Sequence, residues 1–191
     1  MTFIYVSFLT NVNSRKFKVK KSTKHPYYKQ KFVGKYDIGI LILETPLNFN
    51  EIRVNPICLP SPFDSTVEDE TFSVAGFGYT ENYSHPRSLL ETNLTEFNFY
   101  ECKVAYQNTI VSLNEDLVFC AIGKDSNICN RDNGSPAMLS GENGRKYIFG
   151  VASVGIQNKD GLCDPSAPSV WTRVNSVLPY IFTSFEMNGV C

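Results

Sequence analysis

The sequence predicts an all-β protein, a sandwich or a barrel, with one helix at its C-terminus. Short apolar runs recur along the chain, and clusters of Gly, Asn, Asp and Pro separate them. Regular short strands punctuated by turn signals belong to those two architectures. The final segment alone carries an apolar stripe at helical spacing.

Asp37 to Leu43 is a short apolar run followed by turn residues at Pro46 and Asn48, which suits a buried strand. Phe72 to Gly78 is a second run and ends in glycine. Thr95, Phe97 and Phe99 alternate with polar residues, as in a half-buried strand. Tyr147 to Val154 and Ser169 to Val174 are further runs. Val174, Val177, Leu178, Ile181, Phe182 and Phe185 form the helical stripe. Asn175 or Ser176 is placed to cap its start and Asn188-Gly189 to end it. The two prolines of Leu59 to Phe63 mark the expected joint between two halves.

The chain has 191 residues, of which 42% are hydrophobic, enough for a sizeable core. A formal charge of −1 implies no polyanionic partner. No Lys/Arg-rich helix points to nucleic acid. The six cysteines include no C-x-x-C pair and none beside a histidine, which argues against zinc. Their even number and wide spread read as disulfides and an oxidising compartment. Sequons at Asn82, Asn93 and Asn133 fit secretion and glycosylation, although Pro136 follows the third closely. Phe3 to Leu9 is apolar but short, with no basic residue before it and no clear cleavage site after it, so it does not read as a signal peptide. No segment is long enough to span a membrane.

The informative stretch is Phe119-Cys120-Ala121-Ile122-Gly123 followed by Cys129-Asn130-Arg131-Asp132-Asn133-Gly134-Ser135-Pro136. It resembles the F-C-A-G and C-x-G-D-S-G-G-P segments of trypsin/chymotrypsin-like serine proteases, and Cys129 to Pro136 aligns without a gap. Other segments resemble that family in the right order: His25-Pro26-Tyr27-Tyr28, Asp37-Ile38-Gly39-Ile40-Leu41, Ile57-Cys58-Leu59-Pro60, Val74-Ala75-Gly76-Phe77-Gly78, Val151 to Gly155, and Pro168 to Val174. The resemblance runs from about Phe17 to Val190.

What it implies is a frame without its chemistry. In the family a serine attacks, a histidine takes its proton and an aspartate orients the histidine. Asp37 matches the aspartate, but the nucleophile position holds Asn133. An amide is not activated by a neighbouring base at neutral pH. Ser135, two residues on, occupies a glycine position and would be aimed elsewhere. His25 belongs to a structural segment and His85 to a surface turn, so neither matches the catalytic base. Arg131 replaces a glycine whose N–H helps hold the oxyanion; side chains restrict that backbone. Misplacing one such donor lowers rates by about 10²–10³, and losing the nucleophile by about 10⁶.

The pocket floor corresponds to Asn127, which is neutral; Ser153, Val154 and Gly155 form one edge, with Val154 for a tryptophan, and Ser169 replaces a wall glycine. The resemblance therefore implies a narrower, uncharged pocket. In active relatives the counterpart of Asp132 pairs with a new N-terminal amine; here Asp132 is expected to find backbone donors or to lie in a disordered loop. Family bridges imply Cys102–Cys120 and Cys129–Cys163. Cys58 matches a cysteine that often ties the domain to an upstream region, and Cys58 and Cys191 are left with open pairing.

The fold implied is a double antiparallel β-barrel with the first barrel incomplete, plus the C-terminal helix. Residues 1–58 would be the remainder of the first barrel, 59–173 the second barrel and 174–191 the helix and tail. Met1 to Thr10 falls where an earlier strand would be. The function expected is a catalytically inactive serine protease homologue, extracellular, binding or regulating a protease, zymogen or other cascade component. It would use no cofactor, metal, nucleic acid or membrane span. The alternatives are a fragment of a serine-type endopeptidase and a non-functional remnant.

Overall fold

A computed structural model describes residues 5–9, 14–30, 34–50, 55–63, 70–80, 83–141 and 144–184. Three strands, β1 (Tyr5–Leu9), β2 (Ser14–Lys24) and β3 (Gly39–Leu43), form an antiparallel sheet in that order. Six more close into an antiparallel barrel in the order β4-β5-β6-β9-β8-β7. They are β4 (Thr71–Gly76), β5 (Leu90–Phe97), β6 (Val118–Ile122), β7 (Pro136–Ser140), β8 (Lys146–Val154) and β9 (Ser169–Arg173). The all-β class with a closed antiparallel barrel is borne out. No helix among the described residues is long and apolar enough to cross a membrane.

The barrel closes because its inward positions are apolar. Phe72, Val74, Leu94, Phe119, Phe149 and Trp171 fill it, and the Phe72 and Phe119 rings meet edge-on at 5.5 Å. Strand β9 is buried along its whole length, and its polar residues Ser169, Thr172 and Arg173 are hydrogen-bonded to the carbonyls of Ala121, Asp37 and Val118.

Two local expectations are corrected. Phe99 does not continue a strand: it opens α1 (Phe99–Tyr106), because the Asn98 side chain accepts from the Glu101 N–H at 3.1 Å and starts a helix there. The buried residue of β5 is Leu94, one position off the expected face. The C-terminal helix begins as a 3₁₀ turn over Asn175–Val177 and continues as α2 (Leu178–Ser184). No side chain caps that turn, and the Ser176 hydroxyl donates back to Arg173 O at 2.8 Å. Its buried stripe is Val174, Val177, Leu178 and Ile181; Phe182 is partly exposed, and Phe185, Asn188 and Gly189 lie outside the described residues.

That stripe joins the two sheets. It packs against Tyr36, Ile38 and Ile40 on one side and Ile148 and Val151 on the other. Tyr180 Oη also meets Thr23 Oγ1 at 3.0 Å. Cys58 is stitched to β8 through Cys58 N to Lys146 O at 3.1 Å and Ile148 N to Cys58 O at 3.0 Å. The segment before β3 is thereby held against the barrel face that carries the site.

Candidate functional site

The site lies where the turn before β3, the loop before β7 and the end of β8 converge. Asp37 stands half-buried in that turn. Its Oδ2 accepts from Ser153 Oγ at 2.8 Å, and its main-chain carbonyl accepts from Thr172 Oγ1 at 3.0 Å. Strands β8 and β9 of the barrel therefore both fix its position.

Asn133 approaches the same serine from the other side, its side-chain amide donating to Ser153 O. Ser135 faces away from this group. Its Oγ lies 2.9 Å from where a Cβ on Gly76 would be, on the β4 side of the loop. Asn133 and Ser135 thus open onto different cavities, the first with Asp37 and Ile181, the second with Gly76 and Asp132.

Asp132 takes backbone donors, one of its two expected outcomes. Gly78 N donates to Oδ1 at 2.7 Å and Cys129 N to Oδ2 at 2.9 Å. The carboxylate presses on glycine backbone: a Cβ on Gly78 would stand 2.3 Å from Asp132 Cγ. The two glycines of the Val74 to Gly78 motif are therefore required by close approach. A cavity of about 240 Å³ adjoins the carboxylate and is lined also by Glu91, Ser126, Asn127 and Ser135.

Arg131 sits at φ 75°, the left-handed region that suits glycine. Its guanidinium lies 4.9 Å from the Tyr79 ring centroid and its Nη1 donates to His85 Nε2 at 2.8 Å. Tyr79 stacks on Tyr83 at 4.6 Å and contacts His85 at 4.5 Å. Asn130 Nδ2 donates to Tyr83 Oη at 2.9 Å, and Gln157 Nε2 donates to Asn130 Oδ1 at 2.9 Å. Sequence reasoning missed this cluster. Its tyrosines follow the Val74 to Gly78 motif, but nothing in their spacing ties them to Arg131.

Asn127, the residue expected at the pocket floor, has its side chain satisfied internally. Asn127 Nδ2 donates to Ala167 O at 2.7 Å, and its Oδ1 accepts from Ile128 N at 2.8 Å. Ser169 is buried, 2.7 Å from Asn127 Oδ1, and accepts from Trp171 Nε1 at 2.9 Å. The neighbouring cavity, about 400 Å³, is lined by Ile128, Asn133, Val154 and Gly155. Tyr106 closes its side by donating to Pro168 O at 2.8 Å, and burial pushes its phenol pKa upward.

His25 is buried and stacks on Tyr36 at 4.5 Å; its Nδ1 accepts from Tyr27 N at 3.2 Å. Burial lowers its pKa below the usual imidazole value. His85 is engaged by Arg131 and Tyr79. Among the described residues neither imidazole is hydrogen-bonded to Asp37 or Asn133, and no group of three or more His, Cys, Asp or Glu could hold a metal ion.

Cys102–Cys120 ties α1 to the barrel, and Cys129–Cys163 anchors the loop of Arg131 to Asn133. Cys58 is also disulfide-bonded, and Cys191 lies outside the described residues. Of the glycosylation candidates, Asn93 is exposed on β5 and Asn82 lies outside the described residues.

Residues 5–181 match the family described as Trypsin. The chain is 31% identical over 168 residues to phenoloxidase-activating factor 3 of Holotrichia diomphalia, covering 85% of this chain and 46% of that protein. It is also 31% identical over 169 residues to serine proteinase stubble of Drosophila melanogaster, covering 85% of this chain and 20% of that one. The chain spans less than half the length of either relative.

Proposed function

From the premise that this chain belongs to the trypsin family, we propose that it is a catalytically inactive serine protease homologue, an extracellular protein that binds or regulates a protease or zymogen. The observation that carries the reading is Asn133. It stands at the nucleophile position with its amide donated to Ser153 O. A carboxamide offers no activatable lone pair to an acyl carbon, and losing the nucleophile removes about 10⁶ in rate. Arg131, clamped to Tyr79 and His85 at the oxyanion position, and the neutral Asn127–Ser169 floor support the same reading. The disulfides support an oxidising, extracellular setting.

Both relatives' names speak of activation or proteolysis. The test has two arms. A serine-directed fluorophosphonate and a panel of peptide substrates should give neither labelling nor turnover. Surface-immobilised protein should retain an active trypsin-like protease or its zymogen. Labelling at any serine sinks the inactive reading; failure to bind any protease or zymogen sinks the regulatory one.

A second reading, part of a serine-type endopeptidase, is favoured by the intact Asp37–Ser153 hydrogen bond, 2.8 Å long. The same labelling experiment decides for it.

A further inference from the structure

Residues 77–89 connect β4 to β5, two strands that pair directly with each other. Such neighbours are commonly joined by about two to five residues, and a connection this long in a compact fold is usually functional. Its first part is fastened down. Tyr79, Tyr83 and His85 meet Asn130 and Arg131.

Its second part is not. Among the described residues His85, Pro86, Arg87 and Ser88 make no main-chain hydrogen bond, and the exposed Arg87 guanidinium has no hydrogen-bond or ion-pair partner. Pro86 fixes its own φ and holds His85 out of helical backbone, so the stretch is biased toward an extended form. Leu89 and Leu90 follow, 55% and 47% exposed, so apolar side chains stand uncovered just after the arginine.

The other basic residues between 59 and 173 are differently placed. Lys103 lies in α1 and Lys146 in β8. Arg173 is buried, and Arg131 is clamped at φ 75°. The Arg145 carbonyl accepts from Gly141 N at 2.8 Å. Lys159 sits in a turn closed by Gly161 N donating to Asn158 O at 3.0 Å, Lys124 sits in a bend, and an aspartate follows each.

We propose that the Arg87–Ser88 peptide bond is a cleavage site for a separate protease that accepts a basic side chain. Water adds across the bond, leaving a carboxylate on Arg87 and an ammonium group on Ser88. A protease takes its substrate as an extended strand through main-chain hydrogen bonds, which this stretch can lend without breaking any of its own. No carboxylate stands between His85 and Leu90 to compete for the Arg87 charge.

The barrel does not depend on the bond, because β4 stays paired with β5 from Thr71↔Thr95 to Gly76↔Leu90 and with β7 at Ser73 and Val74. The strap from Tyr79 to Arg87 does depend on it. Once cut, the strap is a free end that its contacts to Asn130 and Arg131 hold against the loop of Asn133. The inference goes beyond the proposed function and holds whether or not the centre at Asn133 is silent.

The test is limited proteolysis of the folded full chain by trypsin, with new N-termini sequenced over time. The first to appear within residues 59–173 should begin Ser88-Leu89-Leu90. Arg87→Gln should slow cleavage of the barrel about 100-fold, since it removes the charge that the protease reads. Ser88→Pro keeps the arginine and should slow it comparably, because proline lacks the N–H and fixes φ after the scissile bond. Thermal midpoints equal to the parent's check that both variants are folded. The cut chain should elute from gel filtration as one species. A first barrel cut after Lys124, Arg145 or Lys159 overturns the proposal. So does cleavage of the Arg87→Gln barrel at the parental rate, or separation of the two pieces once cut.

Discussion

The side-chain amide of Asn133 is hydrogen-bonded to the main-chain carbonyl of Ser153, whose own hydroxyl is hydrogen-bonded to Asp37 at 2.8 Å. Asn133 is thus tied to the residue that supports Asp37, and neither His25 nor His85 is hydrogen-bonded to it. Asn133→Ser should restore a hydroxyl without restoring chemistry, because no imidazole among the described residues is bonded into the group. The variant should remain unlabelled by a fluorophosphonate. It should also lose the amide hydrogen bond, about 1 kcal/mol, seen as a fall in thermal midpoint of about 2–4 °C for a chain of this size. Burst labelling of Asn133→Ser would show that a competent base reaches the site.

Asp132 holds the loop by two charge-assisted bonds from Gly78 N and Cys129 N. Asp132→Asn turns one acceptor into a donor facing an N–H. The expected loss is about 2–3 kcal/mol in urea unfolding, read as a lower midpoint at unchanged slope. Gly78→Ala should be comparable, since its Cβ would stand 2.3 Å from Asp132 Cγ and the carboxylate cannot retreat without leaving its donors. A change below about 0.5 kcal/mol in both would mean that the loop does not depend on this contact.

These contacts show what the sequence could and could not convey. Strands β4, β8 and β9 were readable because burial concentrates Phe, Val, Ile and Trp in short runs there, with Phe72 and Val74 alternating in β4 and Val170-Trp171 paired in β9. Strand β2 was not, since six of its 11 residues are basic and its pairing depends on β1 and β3. Helix α1 was hidden because the Asn98 cap interrupts an alternation that otherwise continues through Phe99. The motif order singled out Asp37, Asp132 and Asn133, and the structure brings Asp37 and Asn133 to the same serine. It gave no sign that Ser153 would bond Asp37 across 116 positions, or that Arg131 would meet His85 across 46. Local pattern reports burial and turns; contacts made by loop closure leave no period to read.

His25 gives the fold a pH dependence. Burial beside Tyr36 and Tyr180 lowers its pKa from 6.5, so the unfolded chain binds a proton more readily than the folded one. Its contribution is fully present above about pH 6.5 and is lost as pH falls through that value toward the lower folded pKa. Urea unfolding at pH 7.5 and 5.5 should show the parent losing stability on acidification and His25→Phe losing less. An identical decline in both would assign the effect to other groups.

Arg131 is held at φ 75° by its partners, the Tyr79 ring at 4.9 Å and His85 Nε2 at 2.8 Å, and through them it fastens the chain after β4 over the loop that carries Asn133. Arg131→Gly relieves the backbone but removes both contacts, about 1–2 kcal/mol together. The fold as a whole should change little in thermal midpoint, because the strain relieved offsets part of the loss. Tyr79 and Tyr83 should leave this cluster about 5- to 30-fold more often, which limited chymotrypsin cleavage after each of them reports directly. His85→Ala keeps the strained backbone and loses the hydrogen bond and the ring contact with Tyr79, so it should speed cleavage and also lower the thermal midpoint. If Arg131→Gly is cleaved at the parental rate, the fastening is made by Asn130 and Tyr83 instead, and Asn130→Ala becomes the variant that releases the segment.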